Sequence, residues 1–516
     1  MWLLRVEDAT LHYFPDGGAP PYAILSHVWR GVEQTFQDVQ AISSMAPPGI
    51  VNPAMLTPST MFPRGLSPKI LHLCIYAQKR GYKWAWIDTC CIDKTSSAEL
   101  SEALNSMYSY YAKAEICFAL LDDVRGDEDP RASRSTFRGS MWFRRGWTLQ
   151  ELLAPRAVVF LSMLWQPVGT NHALADVIEQ ITGIDQAVLT HQRPLREVSV
   201  ARRMSWAAKR ETTRVEDGAY SLMGIFNVFM PAVYGEGAAR AFMRLQEEIL
   251  KQLPDQSIFA WGFADDQADH YETMRGLYRR PLSAEAYRLQ LAYQRHRGLQ
   301  GLLAQSPRDF VHSGNIHTIS FRQLSEALNL HVPIPFYHPT SGGLRIQMPV
   351  IPDEREPEPF IPGTAATVSS AVLACEDEYH NLVVLYMRRE SENSDGWSIG
   401  VPTEDRYLRA ALWRRPSHRL QEVQIVDFYV IHRHPLTSIL PYLPTSQPSV
   451  ANDLQVSGPS SVFFYFPVWV LARLQLSGFS PAINTGARWG IQPLPVVDGV
   501  SAERTASLEQ FSIDRP

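Results

Sequence analysis

Ile116-Cys117-Phe118-Ala119-Leu120-Leu121 is a short apolar run bounded by charge, and Trp142-Phe143-Arg144-Arg145-Gly146-Trp147-Thr148-Leu149-Gln150-Glu151-Leu152-Leu153 follows it with helical spacing. Ala157-Val158-Val159-Phe160-Leu161 then reads as another buried strand. Strand, helix and strand in this order imply a parallel sheet with helices on its faces. The pattern extends upstream. Tyr22–Val28 and Trp84–Asp88 are strand-like, and Ile70–Lys79 has helical spacing that stops at Arg80-Gly81. Ser96 or Ser97 caps a predicted helix through Tyr111, with Glu99 in its first turn. The fold class expected for the first part is therefore α/β, with a mostly parallel sheet and helices on both faces.

From 171 to 262 the texture is helical, with amphipathic stretches at Val200–Lys209, Val215–Phe226 and Gly237–Lys251. A partly helical connecting segment is expected over 263–300. From 301 to 516 strand-like runs recur between Pro/Gly/Ser-rich connections: Leu344–Ile351, Ala371–Cys375, Leu382–Met387, Tyr407–Leu412, Val423–His432 and Val462–Leu471. That texture predicts a C-terminal antiparallel β-rich domain. The expected domains are 1–170, 171–262, 263–300 and 301–516.

Bulk composition narrows the function. The 516 residues exceed one ordinary domain. The 53 acids against 48 bases leave a net charge of −5, so nothing points to nucleic acid or an anionic membrane. The longest apolar run, Val462–Leu471, carries Pro467 and is too short for a membrane span. The five cysteines lie mostly in apolar runs, and no signal-peptide pattern opens the chain; a soluble cytoplasmic protein is expected.

Ligands of open parallel sheets bind beyond the carboxyl ends of strands. Ser26, His27, Trp29 and Arg30 follow the first predicted strand, and Asp88 through Lys94 the second. The acidic loop Asp122–Asp129, read as solvated surface, and the Arg144/Trp147/Glu151 segment follow the third. Trp147 and Glu151, four apart, would share one helical face. Glu151 is the candidate site carboxylate, with pairing to Arg144 or Arg145 as the structural alternative. Asp88 would bind a ligand hydroxyl or cap the next turn. Ser26 and His27 are adjacent on a strand and face opposite ways, which argues against a nucleophile–base pair. Cys90 and Cys91 are apolar-flanked and expected to be inert. His432 and His434 have no carboxylates nearby, so no metal site is expected. No phosphate-cradling glycine motif is present.

Tyr22-Ala23-Ile24-Leu25-Ser26-His27-Val28-Trp29, Thr35-Phe36-Gln37-Asp38-Val39, Trp86-Ile87-Asp88-Thr89-Cys90-Cys91-Ile92-Asp93-Lys94, Ser96–Ala103 and Arg145-Gly146-Trp147-Thr148-Leu149-Gln150-Glu151-Leu152-Leu153-Ala154-Pro155 resemble, in order and spacing, the heterokaryon-incompatibility (HET) domain of filamentous fungi. Thr212–Asp217, Ala219–Phe226 and Tyr234–Gly237 look like the helical extension that often follows it, and Gly301–Ala304 with Ser306, Pro307 and Phe310 resembles the region downstream. Two positions depart from the family pattern. Arg30 stands between Trp29 and Gly31, and Gly218 stands where the family has Arg.

The resemblance implies fungal non-self recognition and programmed cell death. HET domains are in turn similar to Toll/interleukin-receptor (TIR) domains, which implies a TIR-like, flavodoxin-like sheet. It also implies a reading in which Glu151 is catalytic in NAD cleavage, with Ser26, Trp29, Asp88, Arg144, Arg145 and Trp147 binding substrate. NAD is then a substrate and no cofactor is expected. The alternative is a non-enzymatic, self-associating signalling module. Either reading expects self-association or a protein partner in trans, with the β-rich domain as sensor, partner-binding unit or brake.

Overall fold

The computed structural model describes residues 1–15, 17–45, 65–263, 301–340, 343–351, 368–389, 396–399, 401–402, 407–408, 410–413 and 423–431. Two compact units divide the chain, Met1–Ile439 and Leu440–Pro516, and the second lies outside the described residues. So do the predicted strand Val462–Leu471, nearly all of the connecting segment and the pair His432/His434.

The N-terminal sheet contains β1 (Trp2–Arg5), β2 (Leu11–Tyr13), β3 (Ala23–His27), β4 (Trp84–Trp86), β5 (Ile116–Leu120), β6 (Val158–Leu161) and β7 (Pro167–Thr170). Their order across the sheet is β2-β1-β4-β3-β5-β6-β7. β4, β3, β5 and β6 run parallel; β1, β2 and β7 add antiparallel edges. The parallel strands thus read second, first, third, fourth, as in flavodoxin-like doubly wound sheets. The chain reverses direction of winding between β3 and β5, where Ala23↔Ile116 through His27↔Leu120 are in register. All five residues of β3 are buried, so both its faces are covered. The predicted strands fall where the sequence placed them. The edge strands are the addition, since three- and four-residue strands carry too little pattern to read.

Helices Phe36–Met45, Pro68–Gln78, Ser97–Lys113 and Thr148–Leu153 flank this sheet. Ser67 and Ser96 cap theirs, accepting N–H groups of Ile70 and Glu99. Ala103, Met107 and Tyr111, one turn apart, are buried along one face of Ser97–Lys113. Trp86, Trp142, Phe118 and Phe160 are fully buried. Burying an aromatic side chain of this kind stabilises by about 1.5–3 kcal/mol.

The stretch from Trp142 to Leu153 is not one helix. A 3₁₀ turn over Met141–Arg144 stops at Arg145, whose φ of −79° and ψ of 140° are extended. The α-helix restarts at Thr148. The break is forced by a neighbour: Arg145 bridges Glu211, and the Gly146 N–H donates to the Glu211 carbonyl at 2.9 Å. A Cβ at Gly146 would lie 2.4 Å from Thr212 Cγ2, so glycine is needed for the approach.

The helical stretch continues with Val200–Ala207, two short turns (Asp217–Tyr220 and Met223–Phe226) and Ala238–Gln252. The predicted helix Val215–Phe226 is thus split. The second sheet comprises β8 (His317–Thr318), β9 (His338–Thr340), β10 (Gly343–Ile351), β11 (Val368–Glu376), β12 (Leu382–Arg389), β13 (Gly396–Ile399), β16 (Ala410–Trp413) and β17 (Gln424–Ile431), with β14 (Val401–Pro402) and β15 (Tyr407–Leu408) paired separately. Its pairings are antiparallel except β13 with β17. Gln256 accepts the Ala374 N–H at 2.7 Å, which ties the helical stretch to β11.

Gly224 sits against the site-bearing half: a Cβ there would lie 2.1 Å from Tyr108 Cβ on Ser97–Lys113. Gly224→Ala is expected to destabilise the protein by about 1–3 kcal/mol, read as a lower urea midpoint at unchanged slope. An unchanged midpoint would mean that the two elements do not pack this closely.

Candidate functional site

The carboxyl ends of β3 and β5, where the winding reverses, carry the polar groups. Ser26, on one face of β3, donates its hydroxyl hydrogen to Glu151 Oε2. The Ser26 hydroxyl oxygen in turn accepts the Trp142 indole N–H at 2.7 Å. Glu151 reaches it from the helix Thr148–Leu153 and is 7% exposed. Tyr111, whose hydroxyl also donates to the Leu25 carbonyl at 3.0 Å, completes the surroundings of the carboxyl. Burial pushes the Glu151 carboxyl up to about 8, and nearby Asp88 adds to the rise; the hydrogen bonds from Ser26 and Tyr111 and the charge of Arg210 oppose it.

His27 faces the other way, as strand alternation demands. Its Nδ1 lies 3.8 Å from Asp88 Oδ1 and its Nε2 4.0 Å from Glu33 Oε1, which is ion-paired with Lys69. Burial, reinforced by Lys69, holds its imidazole neutral down to about 3. Asp88 follows β4 and accepts the Trp29 indole N–H through Oδ2 at 2.8 Å. Burial raises its carboxyl as well. Lys94 stacks over the Trp29 ring at 4.2 Å and donates to the Thr89 carbonyl at 3.2 Å. Trp29 is 46% exposed and forms the outer wall. His27 Nε2, Asp88 Oδ1 and Gln150 Nε2 are buried atoms without a hydrogen-bond partner among the described residues. Such orphans are uncommon and call for an explanation.

The structure therefore joins Ser26 to Glu151 on one face of β3 and sets Asp88, held by Trp29, beside His27 on the other, with Asp88 acting on Glu151 through its charge. Trp147, Arg145 and Arg144 lie apart. Trp147 donates its indole N–H to Asp217 Oδ2 at 3.0 Å, and Arg145 donates to Thr213 Oγ1 at 2.9 Å; both look toward the helical extension. Arg144 is exposed. Neither arginine pairs with Glu151; the arginine acting on it is Arg210, whose Nη1 donates to the Arg145 carbonyl at 2.8 Å and to Thr148 Oγ1 at 3.0 Å. The break at Arg145 takes Arg144 and Arg145 out of helical phase with Glu151, whereas Trp147 keeps helical backbone angles and accepts the Glu151 N–H at 3.4 Å while its indole turns to Asp217. Two cavities, of about 1070 and 550 Å³, lie elsewhere and are not lined by Glu151.

Sequence reasoning missed Tyr111, Arg210 and the hydrogen bond from Trp142 to Ser26. The buried face of Ser97–Lys113 announces Tyr111; nothing local announces Arg210, which arrives from a distant turn. Cys90 and Cys91 are buried, and the Cys90 thiol is pushed up well above its usual range by its hydrogen bond with Cys91 and by burial. No cluster suited to a metal ion occurs among the described residues. The inserted Arg30 makes a two-point ion pair with Asp122, with bonds of 2.8 and 3.0 Å, across the loops after β3 and β5. The acidic loop is thus partly engaged: Asp123 also accepts Ser140 and the Met141 N–H. At Gly218 an added Cβ would meet nothing within 4 Å, so close packing does not require glycine there.

Residues 22–138 match the family model for heterokaryon incompatibility protein (HET), and the chain carries a HET domain. Residues 240–386 match a domain of unknown function, DUF8212. Vegetative incompatibility protein HET-E-1 of Podospora anserina is 41% identical over 265 residues, covering 49% of this chain and 18% of that protein. The chain thus spans less than a fifth of that relative's length. No solved structure matches it. No helix among the described residues is long and apolar enough to cross a membrane.

The two buried groups set opposite pH dependences. Folded Glu151 keeps its proton to about 8, whereas unfolded it loses it near 4.5, so its contribution to stability falls as pH rises between those values. His27 titrates near 6.5 unfolded and about 3 folded, so its contribution falls as pH drops through that window. The windows oppose each other from 4.5 to 6.5, and above 6.5 the Glu151 loss stands alone. Its slope approaches about 1.4 kcal/mol per pH unit. Glu151→Gln is expected to flatten the decline in Tm between about pH 6.5 and 8. Parallel Tm profiles for wild type and variant would refute the raised proton affinity.

Proposed function

We propose that this HET-domain chain acts in fungal heterokaryon incompatibility, as a cytoplasmic effector that triggers cell death on non-self recognition. We further propose that the Glu151 rim cleaves NAD as TIR domains do. One observation carries the reading: a desolvated carboxyl group with raised proton affinity stands at the winding reversal of a parallel sheet, within the electrostatic reach of Asp88, which keeps one buried oxygen without a partner among the described residues. Perturbed acids gather at functional sites, and ligands of such sheets bind at that edge. The order of the parallel strands, with Glu151 on the helix that precedes the fourth, supports a TIR-like fold.

In this reading the ribose–nicotinamide bond breaks and nicotinamide leaves with the bonding electrons, so no acid has to expel it. The protein must stabilise a cationic ribose, which an ionised carboxylate does. Glu151 in its ionised form faces that charge, held by Ser26. Asp88 takes a ribose hydroxyl with its unpaired oxygen. Trp29 offers a ring face, and exposed Arg144 a contact for the pyrophosphate. Arg145 and Trp147 are engaged with Thr213 and Asp217 and act through packing. The 7% exposure of Glu151 favours a second reading, in which the acid is structural and the domain signals by self-association or with a partner in trans.

Nicotinamide release by the purified chain, together with death in a fungal host, separates these. On the enzymatic reading Glu151→Gln lowers release by about 10²–10³ and abolishes toxicity. The kcat/KM profile then rises with pH toward about 8, as the free-protein carboxyl ionises. Toxicity without nicotinamide release supports the self-associating module. A wild-type chain that is not toxic removes the effector assignment itself.

A further inference from the structure

The geometry points to a separate ligand site far along the chain from Glu151, a cavity that takes an amphipathic anion: an aliphatic or aromatic body with one acidic head group. The inference stands independently of NAD cleavage. The cavity, of about 1070 Å³, lies between the helix Val200–Ala207, the turn at Leu253–Gln256 and the segment running from β8 through the helix Phe321–Leu328 to Phe336. Phe321 and Val332 line its apolar wall, and Ile334 and Phe336 line it while remaining exposed, Phe336 by 82%. A large, mostly apolar cavity with a few convergent polar groups is the usual form of a small-molecule site.

Arg203 decides the charge of the ligand. It lines the cavity and is 4% exposed. Its Nη1 donates to the Ile225 carbonyl at 3.0 Å, and its guanidinium lies 4.5 Å from the centre of the Phe226 ring. Its Nε has no partner among the described residues. Buried cations are ordinarily paired with an acid. Asp255 acts on Arg203 only at longer range, and its own oxygens accept the Val200 and Ser257 N–H groups at 2.8 and 2.9 Å. Arg196, exposed at the edge, adds a second positive charge. Arg322 is ion-paired with Glu326 at 3.0 Å and contributes little. A cation would meet two arginines, and Asp255, the one lining carboxylate among the described residues, is already occupied by the Val200 and Ser257 N–H groups. A bare inorganic anion would gain nothing from the apolar wall, and a neutral apolar molecule would leave Arg203 unanswered. An acid with an apolar body satisfies both.

The test is a fluorescence titration of the full chain with 1-anilinonaphthalene-8-sulfonate, an aromatic sulfonate, and with its neutral analogue N-phenyl-1-naphthylamine. Decanoate is the competitor. Saturable one-to-one binding of the sulfonate, displaced by decanoate, is expected. Arg196→Glu, at an exposed position, should weaken the sulfonate about tenfold while changing the neutral probe less than about twofold. Arg203→Met should do the same wherever its Tm stays near wild type. Phe336→Ser should weaken both probes. Unsaturable sulfonate binding, no displacement by decanoate, or equal effects of Arg196→Glu on the two probes would overturn the site.

Discussion

A carboxyl group removed from water must be satisfied by whatever surrounds it, and at Glu151 that burden falls on the Ser26 hydroxyl. One oxygen accepts the Trp142 indole and passes its own hydrogen to the acid. The end of β3 is thereby fixed to two neighbouring segments far along the chain, the 3₁₀ turn Met141–Arg144 and the helix Thr148–Leu153 that follows it. Leaving such a buried group unpaired costs about 1–3 kcal/mol. The same arrangement holds an acid of altered proton affinity, carried by the helix Thr148–Leu153, against the fully buried strand β3. Stability and proton affinity at this edge therefore draw on the same few atoms.

The helical extension takes part in that edge. The backbone of Arg145 and Gly146 pairs with Glu211, Arg210 inserts beneath Thr148, and Trp147 is held by Asp217. Asp217 in turn accepts the Tyr234 hydroxyl at 3.0 Å, so the contact is anchored on its far side too. Residues beyond the sheet therefore set the orientation of the helix that carries the acid.

Much of this was legible in the residues. Alternating apolar strands and capped helices gave the parallel core, because a buried strand flanked by turn signals has few other readings. Ser26, Asp88 and Glu151 could be gathered in advance, because ligands of such sheets collect at strand ends. Arg144 and Arg145 could not be oriented, because helical phase is a local rule and Glu211 interrupts it from outside; Trp147 keeps that phase, but its indole is claimed by Asp217, which nothing local announces. Arg210 was invisible for the same reason: its role depends on a tertiary approach enforced by Gly146. The edge strands β1, β2 and β7 are short and mixed in polarity, and their pairing partners, not their own pattern, define them. The seam between the helical stretch and the second sheet likewise rests on single groups such as Gln256, whose neighbours in sequence do not mark it.

The Trp147–Asp217 contact has an evolutionary corollary. A genetic crossover falling between β7 and the helix Val200–Ala207 would deliver the strands without the residues that seat the helix carrying Glu151. Descendants of such an exchange would inherit a recognisable motif on a misaligned frame. The unit that would have to move intact is therefore larger than the stretch its signature marks, and includes the helical companion that carries Arg210 and Asp217.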